Sequence, residues 1–253
     1  MRMGRGADAP AHVGDMTRSR AATERVLEVL SPTRCAGCER PGELICPACL
    51  DALELIDPRT CCSFCGAPFG RMLCTECSHE EGPLGSCLAM AGFAGPLPRI
   101  IRAYKDQGER RLAQPLGQIL WDAVSHARDV DPARFGPAAH PDAVVFVPAT
   151  SQAFGRRGFD HMEAVARSFC SASGLPVLDA LLKHAADDQR DLGRAGRERN
   201  AEGAYEVCAS VAGARLLLID DVITTGATMR AAAQALLDAG AKLVCAAACA
   251  RVW

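Results

Sequence analysis

Residues 216–228, Leu-Leu-Leu-Ile-Asp-Asp-Val-Ile-Thr-Thr-Gly-Ala-Thr, narrow the folds open to this chain more than any other stretch. Four consecutive apolar residues without polar alternation read as a strand buried on both faces, the pattern of a parallel sheet. Asp220 and Asp221 then fall at the strand's carboxyl end, where open α/β sheets receive ligands. Thr224, Thr225, Gly226, Ala227 and Thr228 form a hydroxyl- and Gly-containing turn, and a helical pattern over 229–239 follows at once. Backbone N–H groups at such a helix start, flanked by hydroxyls, suit a phosphate. Carboxylates for a polyol beside a cradle for a phosphate meet the two requirements of a ribose 5-phosphate. A Walker B strand also ends in acids, but its partner P-loop needs a Gly-Lys-Ser/Thr sequence. The lysines are Lys105, Lys183 and Lys242, and none follows a Gly, so that reading fails.

With 253 residues, 49% of them hydrophobic, the chain can build one substantial domain and a small one. No apolar run is long enough to span a membrane, so membrane insertion is not expected. The first 20 residues have no apolar h-region and do not read as a secretory signal. A disordered leader over 1–30 is expected, with Met3 or Met16 as alternative starts, and a cytoplasmic location. A net charge of −2 gives no global sign of nucleic-acid binding.

Nine of the 14 cysteines lie within positions 35–77. Cys35, Cys38, Cys46 and Cys49 form two Cys-x-x-Cys pairs, and Cys62, Cys65, Cys74 and Cys77 repeat the arrangement. Two intervening residues let both thiolates of a knuckle reach one Zn²⁺, and two knuckles complete a tetrahedron. The expectation is two structural zinc ions in a double ribbon over 31–80, with no ligand position left for a catalytic water. Pairing Cys61 with Cys65 and interleaving knuckles between the halves both remain open. So small a segment depends on metal for its folding free energy, so chelation is expected to unfold the ribbons and spare the rest. Residues 50–55 read as a short helix between the halves, and Cys87, Cys170, Cys208, Cys245 and Cys249 as buried small hydrophobes.

Beyond a linker over 79–83, a second domain is expected over 84–253. Strands are predicted over 86–93, 143–147, 214–219 and 242–250, alternating with helices over 97–107, 111–128, 161–172 and 229–239. Such alternation predicts an α/β fold with a parallel sheet flanked by helices.

The 216–228 segment resembles the 5-phosphoribosyl-1-pyrophosphate (PRPP) signature of type I phosphoribosyltransferases. The paired cysteine ribbons, Tyr104-Lys105, Val147-Pro148, Arg157-Gly158-Phe159, Gln189 with Arg199-Asn200, and the terminal motif occur in that order in the ComF family. That family consists of phosphoribosyltransferase-like proteins, some linked to DNA uptake during competence. One departure is Asp160-His161 where relatives usually carry Asn-Gln, which puts the competence setting in doubt more than the fold. The resemblance implies that Asp220 and Asp221 bind the ribose hydroxyls and help to place Mg²⁺. It implies that residues 224–228 bind the 5-phosphate, and that Pro148, Ala149 and Thr150 form the pyrophosphate loop. Arg156 and Arg157 are either pyrophosphate partners or a solvated helix start. Lys105 is either a phosphate ligand or a lone charge on an apolar face, and His161 either a general base or a structural residue. The polar stretch 184–201, with Arg190, Arg194, Arg197 and Arg199, matches the loop that closes over PRPP in this fold.

Two functions fit. One is a phosphoribosyltransferase acting with Mg²⁺ on an unknown nucleophile. The other is a non-enzymatic PRPP-binding protein that handles single-stranded DNA, with protein partners through the ribbons. For the second, basic clusters at Arg99, Arg102, Lys105, Arg110 and Arg111 and over 190–199 would contact phosphates. Tyr104, Phe64 or Phe69 would stack on bases.

Overall fold

The computed structural model describes residues 32–68, 73–75, 77, 82–183 and 204–253. The expected leader, Phe69, and the arginines of 190–199 lie outside the described residues. A five-stranded sheet forms the centre, in the order β1 (Cys87–Gly92), β7 (Leu243–Arg251), β6 (Arg215–Ile223), β2 (Ala143–Phe146), β3 (Val177–Leu178). Every pairing in it is parallel. A separate antiparallel pair, β4 (Leu181–Lys183) and β5 (Tyr205–Val207), stands outside the sheet.

Strand alternation sorts the core into two layers. Leu217, Ile219, Cys245, Ala247 and Cys249 pack with α2 (Leu97–Lys105), α3 (Ala113–Val130), α4 (Pro132–Ala139) and α6 (His161–Ser173). Leu216, Leu218, Val244, Ala246 and Ala248 face the opposite way, onto α7 (Ala227–Asp238) and the β4–β5 pair. After the exposed Arg215 that starts it, β6 carries no polar residue until Asp220 because both faces are covered. α3 and α6 cross closely at Gly117, where a Cβ would come within 2.6 Å of Ser168 Cβ and 2.7 Å of the Val165 carbonyl oxygen.

Several boundaries differ from expectation. The last helix starts at Ala227, two residues early, because Gly226 takes a left-handed φ of 75° and turns the chain directly into it. The helix expected over 111–128 begins as a 3-10 turn at Arg110–Leu112, with Glu109 accepting from the Arg111 amide, and continues as α3. Short α4 and α5 (Ser151–Arg157) were not foreseen; α4 even contains Pro137. The linking helix is α1 (Pro47–Asp51), not 50–55. Leu55 instead forms a bridge to Ala91 on the sheet edge. Cys208 is exposed, unlike the other four isolated cysteines.

The cysteine-rich segment is not an independent appendage. Cys35, Ile45, Cys49, Ile56 and Cys61 belong to the main apolar cluster. Arg134 of α4 donates to the carbonyls of Pro58 and Cys61 (3.0 Å for Cys61) and to Ser63 Oγ at 3.3 Å. The Cys87 amide donates to the Ser63 carbonyl at 2.7 Å. The expectation that losing the metal would spare the rest is therefore corrected for the first ribbon, which supplies part of the main core, whereas Cys62, Cys65, Ala67 and Cys77 form a small cluster of their own.

Candidate functional site

The site exists because neighbouring strands stop at different points. β2 ends at Phe146, opposite Ile219, whereas β6 and β7 remain paired to Ile223 and Arg251. Asp220 and Asp221 lie just past the end of β2, at the mouth of a crevice on the carboxyl side of the sheet. This is where α/β folds bind ligands. Strand parity then gives the two acids different surroundings. Asp221 shares a face with Leu217 and Ile219, so it meets Lys105 of α2 and His161 of α6. Its Oδ2 lies 2.5 Å from Lys105 Nζ and 3.2 Å from His161 Nε2. Asp220 faces the other layer, toward Lys183 and Tyr205, and its Oδ1 accepts from the Asp221 amide at 2.8 Å.

Both acids are 7% exposed, yet they titrate in opposite directions. Burial, reinforced by the neighbouring Asp221 charge, pushes the Asp220 carboxyl well above the usual carboxylate range. Burial pushes Asp221 up as well, but the His161 ring and the Lys105 ammonium outweigh it and hold the group below that range. The two acids thus differ in how firmly they hold a proton, Asp220 keeping it to higher pH than Asp221. Adjacent hydroxyls of a polyol can each find a complementary partner there.

A cavity of about 260 Å³ is lined by Asp220, Asp221, Ala149, Thr150, Arg157 and Thr228, together with Lys105, His161 and Lys183. A larger one, about 620 Å³, adjoins it at Lys105 and Arg157 and includes Arg156. Thr224, Thr225, Gly226 and Ala227 form the turn leading to Thr228 and are not part of either lining. The Thr225 hydroxyl accepts from the Ala227 amide at 3.4 Å, since the N-cap residue of α7, Gly226, has no side chain to offer.

The 148–150 loop is held chiefly by Asp160, which the sequence marked only as a departure from the family pattern. Asp160 Oδ2 accepts from the Ala149 amide at 2.7 Å, while Oδ1 caps α6 through Met162 N at 2.8 Å and Glu163 N at 3.3 Å. The signal was present, since an Asp followed three residues later by Glu is a helix-start signature. Thr150 caps α5 by accepting from Ala153 N at 3.2 Å. Arg156 and Arg157 lie in the last turn of α5, not at a helix start. Arg157 approaches Asp106 Oδ1 at 3.5 Å and His161 Nδ1 at 3.4 Å. Tyr104 is 1% exposed, with its hydroxyl donating to the His161 carbonyl, so the expectation that it stacks on bases is corrected. Arg99, Arg102, Arg110 and Arg111 are exposed; Arg110 lies over the Phe159 ring at 4.4 Å, and Arg111 pairs with Glu109 at 2.8 Å.

Each cysteine tetrad comes from one half of the segment, without interleaving, and its sulfur atoms lie within 4.8 Å of one another. Cys38 Sγ and Cys46 Sγ are 3.6 Å apart, and Cys65 Sγ and Cys74 Sγ 3.7 Å. A tetrahedron with metal–sulfur bonds of about 2.3 Å has edges of about 3.8 Å, so the four-thiol sets fit zinc. Burial raises the Cys35 thiol, but amides of Cys46, Cys38 and Gly37 outweigh it and bring it to about 6. Burial and neighbouring cysteines push Cys49 and Cys77 upward. Cys61 stays outside the second tetrad and donates to the Pro58 carbonyl at 3.4 Å. Either tetrad could hold zinc, which would cross-link its two knuckles.

For Mg²⁺ the fit is narrower. Among the described residues the only clusters of three or more potential ligands are the two cysteine tetrads. Asp220 and Asp221 make no such cluster by themselves, and Mg²⁺ characteristically takes most of its ligands from waters and phosphate oxygens.

A parallel sheet with an acid pair and a phosphate-type turn at its carboxyl edge defines a phosphoribosyltransferase-type domain. Residues 156–252 match the phosphoribosyl transferase domain family. The chain is 29% identical over 224 residues to the DNA utilization protein YhgH of Escherichia coli strain K12, covering 84% of this chain and 94% of that one. It is 24% identical over 186 residues to Competence protein F of Haemophilus influenzae, covering 71% and 79%. A solved structure of the allosteric regulatory enzyme of purine biosynthesis aligns at 21% identity and a TM-score of 0.36, over 54% of this chain and 26% of that one. The matched domain and the named relatives agree with the resemblance to the ComF family and its phosphoribosyltransferase domain. No helix among the described residues is long and apolar enough to cross a membrane.

Proposed function

We propose that the protein binds PRPP with Mg²⁺ and transfers its phosphoribosyl group to a nucleophile. The observation that carries this reading is the buried pair Asp220 and Asp221, facing different partners at the mouth of a crevice lined by Lys105, Arg157 and Lys183. In this reading Asp220 and Asp221 hold the ribose hydroxyls, and Thr224, Thr225, Gly226, Ala227 and Thr228 hold the 5-phosphate. Ala149, Thr150 and Arg157 meet the pyrophosphate. Mg²⁺ would supply charge neutralisation on pyrophosphate oxygens. The chain's own part is to fix the ribose, so that its anomeric carbon gains oxocarbenium character as pyrophosphate leaves toward Arg157 and Lys105. We place the protein in the cytoplasm with two structural zinc ions.

Calorimetry with PRPP, with and without Mg²⁺, tests the binding. Affinity that requires Mg²⁺ supports the reading, and no heat in either condition refutes it. A second reading is a non-enzymatic PRPP-binding protein in single-stranded DNA handling, with protein partners reached through the ribbons. It draws on the names of the relatives, a DNA utilization protein and a competence protein. Pyrophosphate release from PRPP in a metabolite extract separates the two: sustained release supports transfer, and binding without release supports the second.

A further inference from the structure

Arg251, the last residue of β7, joins two parts of the molecule that the sequence separates widely. It is 4% exposed. Its Nε donates to the carbonyl of Cys65, inside the second tetrad's first knuckle, at 3.0 Å. Its Nη1 donates to the carbonyls of Thr224 and Val252 and lies 3.5 Å from that of Ile223. Besides these carbonyls the guanidinium meets the Cys65 thiol, which it favours in the ionised form, and among the described residues no carboxylate pairs with it. A buried cation without a counter-charge is costly. Four thiolates around one divalent cation, however, carry a net charge of about −2. The knuckle is also seated firmly: a Cβ on Gly66 would lie 2.9 Å from the Ala89 amide of β1.

The contact with Thr224 has a directional consequence. In a trans peptide the C=O and the next N–H point opposite ways. Holding the Thr224 carbonyl inward on Arg251 therefore turns the Thr225 N–H the opposite way, away from Arg251. We propose that Arg251 is a positioning residue for the 224–228 turn, with the metal-loaded second tetrad as its counter-charge, so that order in the turn depends on metal in that tetrad more than in the first. This rests on the reading of the turn as the 5-phosphate site.

The test uses the full chain and three readouts: hydrogen exchange over residues 223–229, zinc content, and ribose 5-phosphate affinity by calorimetry. Arg251→Met, which keeps an unbranched stem and drops the charge and donors, should speed exchange in the turn and weaken ribose 5-phosphate about tenfold or more. Arg251→Lys keeps the charge but cannot fork to two carbonyls, and should fall between. Cys74→Ser, which disables the second tetrad without touching the turn, should reproduce the faster exchange, and Cys38→Ser in the first tetrad should do so less. The proposal is overturned if turn exchange in Arg251→Met and Cys74→Ser equals wild type. It is equally overturned if exchange rises as much across α3 and α6, which would make Arg251 a general stabiliser. If wild type fails to bind ribose 5-phosphate, the phosphate reading falls, and the exchange comparison still decides the coupling.

Discussion

Asparagine at position 220 and asparagine at position 221 are the same chemical change on adjacent residues, and the structure predicts opposite outcomes. In Asp221→Asn the carboxylate that lies 2.5 Å from Lys105 Nζ and 3.2 Å from His161 Nε2 becomes an amide. Lys105 can only donate, so it retains at best one neutral acceptor. A hydrogen bond to a charged group is worth about 1.5–3 kcal/mol. The Lys105 side chain is 31% exposed and can turn toward water, so a loss of about 2 kcal/mol is reasonable. For a chain of this size that lowers Tm by roughly 4–8 °C. Because the folded-state pKa of Asp221 is depressed, its contribution is present above the unfolded value of about 3.9 and disappears as pH falls through the folded one. The deficit of the variant should therefore be full at neutral pH and close in acid. Asp220 has the reverse sign. Its folded pKa is raised, so its stabilising share is complete below about pH 4 and is lost as pH rises toward the folded value. Asp220→Asn keeps an acceptor for the Asp221 amide and removes that penalty, so it should gain on wild type as pH rises. Melting curves of the three proteins from pH 4 to 8 without Mg²⁺, followed by PRPP calorimetry, make the comparison. Asp221→Asn should weaken PRPP at least about tenfold, and Asp220→Asn much less. Equal losses of stability and affinity in both variants at pH 7 would refute the split assignment.

Metal analysis of reduced protein should find two zinc ions per chain; none would remove the zinc reading of the tetrads. Because Cys35, Ile45 and Cys49 lie in the main core, chelation should lower the melting temperature of the whole molecule, where an independent ribbon would leave it unchanged. Gly117→Ala should cost about 1–3 kcal/mol by forcing α3 from α6, read as a lower urea midpoint with unchanged slope. Tyr104→Phe, which removes a buried hydroxyl that donates to the His161 carbonyl, should lower stability and leave oligonucleotide affinity as in wild type. Any binding of single strands should weaken steeply with added salt in fluorescence titrations.

The parts most legible in the sequence were those whose physics is local. An unbroken apolar run announced the buried strand, and Cys-x-x-Cys spacing announced each tetrad without needing long-range information. Strand alternation would also have assigned Asp221 to one layer and Asp220 to the other. What no local pattern could supply was the identity of the opposing layer, and so the opposite directions in which the two acids' pKa values move. Lys105 meets Asp221 across 116 positions of sequence, and Arg251 meets Cys65 across 186. The short strands β3, β4 and β5 have two or three residues each, too few for a period to register.

Arg251 shows why such residues escape a sequence reading and how they can be recovered. A single cation closing the run Val-Cys-Ala-Ala-Ala-Cys-Ala looks like an ordinary strand end returning to solvent. β7, however, pairs with β1 on one side and β6 on the other, to its last residue on both. A strand flanked on both edges has no solvent beside its final position, so a charge there must find internal partners. In this chain those partners are the carbonyl of Cys65 in a cysteine knuckle and the carbonyl of Thr224 in the 224–228 turn. The inference from a flanked strand ending in arginine to a tie between two sites needs only the strand order, which the α/β alternation constrains before any side chain is placed.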